Sequence, residues 1–176
     1  MKIRSGLAVM ALLPMPLAAQ HDHARSPYAG LAIDTASTMT LENADQLRRG
    51  EGMGLALVAE LNGYPGPKHA IELADMIGLS EGQVTRLEAV REAMTAQAID
   101  AGAEILESEA DLTALFQDGA ADEAAVAALT LHIGRITGRL RAIHLQAHVK
   151  TRALLTQDQL RAYDEHRGYR EPPPAR

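Results

Sequence analysis

Beyond residue 80, apolar side chains recur at intervals of three, four and once seven. Val84, Leu87, Val90, Met94, Ala98, Ala101, Ile105, Leu112 and Leu115 form the stripe expected of one helix face. "QDGAAD" at 117–122 interrupts it, with Gly119 as a stop and Asp122 as a fresh cap. A second stripe follows: Val126, Leu129, Ile133, Ile136, Leu140, Ile143, Ala147 and Leu154. Helices of roughly 36 and 34 residues would be ~54 and ~51 Å long, near enough to fold back on each other. A short turn makes them antiparallel, so Ser80 at the start of the first and Leu155 at the end of the second meet at one end.

Upstream, Thr40 is placed to cap "LENADQLRRGEGMGLALVAELNG", whose Leu47, Leu55, Val58 and Leu61 form a stripe. Gly50, Gly52 and Gly54 inside it permit a bend or a close helix contact. "NGYPGP" at 62–67 is a stop, and Pro67 opens a short helix, "PKHAIELADMI", that Gly78 closes. At the other end "LRAYDEHRGY" predicts a short helix finishing at Gly168, and residues 169–176, ending "PPPAR", form a mobile tail. Composition agrees with an all-α fold. The chain is 47% apolar, with one Phe, four Tyr and no Trp, so strand-favouring aromatics are scarce.

The first twenty residues read as a secretory signal peptide. Lys2 and Arg4 precede an apolar run from Leu7 to Leu17, and Ala18 and Ala19 precede a polar switch. The run is shorter than a membrane span and is broken by Pro14 and Pro16. Residues 21–39 show no period and read as an irregular leader. Cleavage would remove two of 17 basic residues and none of the 23 acidic ones, so the mature chain is more acidic than the net −6 of the whole. That disfavours a nucleic-acid partner. With no cysteine and no further long apolar run, the expectation is a soluble protein outside the cytoplasm, without a membrane span.

One five-residue phrase occurs twice, as "LSEGQ" at 79–83 and "LTQDQ" at 155–159. In each, Ser80 or Thr156 can cap a helix while Gln83 or Gln159 reaches back to the cap's backbone, a capping box. Leu79 and Leu155 stand just before the caps, where an apolar side chain packs into the helix it introduces. On the hairpin reading the two phrases are paired corners.

Two such phrases flanking a long helical hairpin behind a signal peptide resemble the Spy/CpxP group of periplasmic stress proteins. They also resemble its heavy-metal-binding relatives of the zinc-resistance-associated and CnrX-like kinds. The resemblance covers about residues 67–168. The first phrase departs from the usual Leu-Thr-x-x-Gln by its Ser80, a change that keeps the cap chemistry. Residues 21–66 fall outside it. It implies an all-α protomer that dimerises into a thin, curved, cradle-shaped homodimer in the periplasm. Its activity would be that of a chaperone binding unfolded clients without ATP or any required cofactor, or that of a metal-responsive protein.

Histidines supply the competing chemistry. His144 and His148 are four apart on the second hairpin helix, a spacing that can chelate zinc, copper or nickel. If the short helix at 67–77 packs beside the open end, His69 and Glu72 approach that pair. In the metal-sensing relatives, ligands sit in comparable places before the second phrase, which matches His144 and His148. "HDH" at 21–23 would place His23 third from a free amine after cleavage at Gln20, an arrangement that wraps copper or nickel. Enzyme signatures are missing: there is no Gly-rich phosphate loop, no Gly-x-Ser-x-Gly, no His-Glu-x-x-His and no cysteine nucleophile. "ESEAD" at 107–111 and "RITGRLR" at 135–141 read as solvated acidic and basic helix faces. The sequence thus favours an ATP-independent chaperone, with a metal sensor or buffer as the rival.

Overall fold

The computed structural model describes residues 41–169, all within one compact unit, Ile33–Arg176. These residues form α1 (Leu41–Arg48), α2 (Leu57–Glu60), α3 (Pro67–Glu72), α4 (Glu81–Gln117), α5 (Glu123–Leu154) and α6 (Gln157–His166), and no strand is present among them. The signal peptide, the leader with its "HDH", the Thr40 cap and residues 170–176 lie outside the described residues.

The fold is all-α, and its frame is the long hairpin of α4, 37 residues, and α5, 32 residues. A chain reversal needs a stop and a start. Gly119 supplies the first at φ +65°, where a side chain would be strained, and Asp122 the second, its carboxylate accepting from Ala125 N at 2.8 Å. The two predicted stripes face each other. Ala98, Ala101 and Ile105 of α4 meet Ile136 and Leu140 of α5, and Leu47 of α1 closes the cluster. Across the arms Arg139 pairs with Glu104 at 2.5 Å.

α1 comes unusually close to α4. A Cβ on Gly102 would lie 2.5 Å from the Leu47 carbonyl oxygen, so the end of α1 seats on α4 only because that position has no side chain. A second core lies at the open end of the hairpin, where Ala70, Ile77, Leu87, Leu155, Leu160 and Tyr163 are buried together.

The segment before the hairpin departs from the single stripe. α1 stops at Arg48, and the chain then turns through positive φ at Gly50, Met53 and Gly54 before α2. The glycines break the helix rather than bend it. Val58 and Leu61, expected on the buried face, are exposed, and the residues buried in their place are Ala56 and Glu60. α3 is also shorter than predicted: helical bonding ends at Glu72, and a series of turns carries the chain to Gly78 at φ +67°, with Ile77 still buried. Tyr169, assigned to the tail by sequence, packs against the second core.

Candidate functional site

The two repeated phrases form one hydrogen-bonded unit. Ser80 Oγ accepts from Gln83 N at 3.3 Å while Gln83 Oε1 accepts from Ser80 N at 3.0 Å. Thr156 and Gln159 repeat the arrangement at 3.2 and 2.9 Å. The side-chain amides then meet: Gln83 Nε2 donates to Gln159 Oε1 at 2.8 Å and Gln159 Nε2 to Gln83 Oε1 at 3.0 Å. Each amide also reaches across to the carbonyl two residues before the other cap, Gln83 to Leu154 at 2.8 Å and Gln159 to Gly78 at 2.9 Å. The corners are therefore related by a local pseudo-twofold. Leu155 is buried in the adjoining core and Leu79 packs against it. This unit fastens the root of the hairpin to α6 and satisfies two carbonyls at its centre.

Beside it sits a buried carboxylate that the sequence pattern does not single out. Glu60, 6% exposed, accepts from Tyr163 Oη, from Gly66 N at 3.0 Å and from Tyr169 Oη at 3.3 Å. Arg167 Nε lies 3.7 Å away, and His69 Nδ1 and His148 Nδ1 each 3.6 Å. A buried charge persists when it is hydrogen-bonded and faced by opposite charge, and both conditions hold. Burial and the Glu60 carboxylate together hold the Tyr163 hydroxyl well above the usual phenol range, so it stays a donor. The "NGYPGP" loop is tied down over the same place: His148 Nδ1 donates to Tyr64 O at 2.7 Å, and Arg152 donates to Gly63 O while its guanidinium stacks over the Tyr64 ring.

The four metal candidates part company. His69 and His148 converge, but on Glu60; Glu72 is exposed. His144 is 3% exposed in the α5 core line with Nε2 lacking any hydrogen-bond partner, and the backbone at Gly52 passes over its ring. Burial first, and His148 second, push its pKa down, so its ring is held neutral. Among the described residues no three His, Cys, Asp or Glu side chains form a group that could hold a metal ion. The sequence signal for Glu60 is a lone acid in the otherwise apolar "LALVAELNG".

Apolar side chains remain in solvent at several places, Leu41 of α1 and Met76 after α3 among them. Near the hairpin turn Phe116 and Leu131 are exposed, with Ile99 and Val149 further along the arms. On α2 Leu57, Val58 and the following Leu61 are 55%, 53% and 57% exposed. No helix among the described residues is long and apolar enough to cross a membrane.

No protein-family model, curated protein or solved structure matches this chain.

Proposed function

We propose that this chain is an ATP-independent chaperone of the Spy/CpxP kind, exported to the periplasm, which binds unfolded proteins and suppresses their aggregation. The observation that carries the reading is the apolar surface left on a fold too thin to cover it. A hairpin two helices thick buries one stripe per arm and leaves Phe116, Leu131, Ile99 and Val149 in water. Such a surface, dispersed among charges on an acidic chain, suits weak, reversible contact with other apolar chains. The resemblance in the two capped corners supports the same reading, and a homodimer would enlarge the surface.

A second reading, a zinc, copper or nickel sensor or buffer, draws support from the approach of His69 and His148 to Glu60. Metal there would have to displace the bonds that Glu60 and His148 already make, and His144 is committed to the core, so the chaperone reading is the better supported.

The test is light scattering by a denaturant-unfolded model protein diluted into buffer with the chain lacking residues 1–20, with and without chelator. Suppression at near-stoichiometric chain, unaffected by chelator and by His69→Ala/His148→Ala, is expected. No suppression, combined with tight zinc or copper binding lost in that variant, would replace the first reading with the second.

A further inference from the structure

α2 is built inside out. A surface helix ordinarily turns its aliphatics inward and its acid outward, yet here Glu60 is 6% exposed while Leu57, Val58 and Leu61 stand more than half in solvent. The inversion is held in place from beneath: Tyr163, Tyr169 and the Gly66 amide grip the Glu60 carboxylate, and Arg152 and His148 of α5 fix the loop that follows. Burying a carboxylate and exposing three aliphatics are both unfavourable, so the arrangement offsets a local cost with a dedicated polar anchor. Its result is a fixed apolar ledge at the root of the hairpin.

We infer that this ledge of Leu57, Val58 and Leu61 is a docking site for short aliphatic segments of unfolded polypeptide. The inference rests on the chaperone reading and deepens it by naming where a client binds and what part of the client is recognised. The size of the ledge selects the occupant. Three half-exposed aliphatic side chains offer far less than the ~800 Å² per partner that a stable protein interface buries, so the ledge alone cannot hold a second folded copy. It fits a few side chains of an extended chain, bound weakly and released readily. Because Glu60 fixes the backbone of α2, the ledge is preformed, and the client alone loses conformational freedom on binding.

The test compares the chain lacking residues 1–20 with Leu57→Ser/Leu61→Ser and, separately, with Leu41→Ser/Met76→Ser, two exposed apolar positions given no part in client contact. All four side chains are solvent-exposed, and circular dichroism checks that each variant keeps its helices. Binding is read by fluorescence anisotropy of a labelled Ser/Gly decapeptide carrying three leucines, against the same peptide without them, and aggregation suppression is read in parallel. The ledge variant should bind the leucine peptide about tenfold more weakly or worse, the loss expected when two aliphatic contacts become hydroxyls, and should suppress aggregation less. The Leu41→Ser/Met76→Ser variant should bind the peptide like the parent. Unchanged peptide binding and suppression in the ledge variant would overturn the ledge and leave the chaperone reading standing. A parent chain that neither binds peptide nor suppresses aggregation would end both. Sedimentation showing a dimer in the parent and a monomer in the ledge variant would reassign the surface to self-association and overturn the inference.

Discussion

The side-chain amides of Gln83 and Gln159 face each other as a reciprocal pair, donating both ways at 2.8 and 3.0 Å, and each also donates to a carbonyl beside the other's cap. Replacing either glutamine by Leu removes its own capping bond and strands the partner's amide and one carbonyl. Each single variant should lose roughly 2 kcal/mol, the scale of a broken cap plus an unsatisfied polar group. The double variant should lose clearly less than the sum, with a coupling of about 1 kcal/mol or more in a urea-denaturation cycle. Strict additivity would mean that the corners act as independent caps.

Glycine provides a prediction in which one substitution has opposite signs. In an exposed helix interior, Gly→Ala stabilises by about 1 kcal/mol. Gly138 of α5 has nothing within 4 Å of where a Cβ would stand, so Gly138→Ala should raise the thermal midpoint. At Gly102 the same Cβ would lie 2.5 Å from Leu47 O, a backbone atom that cannot yield without α1 moving. Gly102→Ala should therefore lower the midpoint and speed hydrogen exchange in α1, leaving α5 unchanged.

How far this was legible in the sequence differs by element. The long arms and their turn were readable because a two-helix hairpin is stabilised by periodic stripes and local caps, both written in consecutive residues. The capping boxes were readable for the same reason. The reciprocal pairing of Gln83 with Gln159 needed only the added step of an antiparallel fold-back. The segment from Gly50 to Gly66 was not readable in this way. Its stripe was present, but a buried network with Glu60 at its centre overrode it, and that network draws on Tyr163, Tyr169 and His148, more than eighty residues away. His144 looked like a ligand because spacing reports which face of a helix a residue occupies, and here that face is the core.

His144 gives a pH prediction. Its folded-state pKa is depressed, so the unfolded chain binds the proton more readily and stability must fall as pH drops through the unfolded value of about 6.5. Above that pH its contribution is complete. His144→Leu, close in volume and free of the orphaned Nε2, should match or exceed the parent by about 1 kcal/mol at pH 7.5. Between about pH 6.5 and 5 the parent should lose stability more steeply than the variant. Parallel urea midpoints for the two across that range would show that the histidine carries no buried proton penalty.

Glu60 is the test of the anchor beneath α2. Glu60→Ala takes the acceptor away from three donors, the buried Tyr163 Oη and Gly66 N and the part-buried Tyr169 Oη, and leaves Arg167 without its buried anionic neighbour. The cost of two stranded buried donors is about 3 kcal/mol, near the lower end of what breaking a buried charge network removes. Glu60→Gln retains one acceptor oxygen and should cost less, and Tyr163→Phe, which removes the donor instead, should fall between them. The global measurement does not by itself separate a lost anchor from general loosening, but the Gly66 amide does. Its proton is donated to Glu60 Oε2, so in Glu60→Ala it should exchange far faster than amides in the middle of α4. Equal acceleration at both places would show that Glu60 supports the whole fold rather than holding α2 and its apolar ledge.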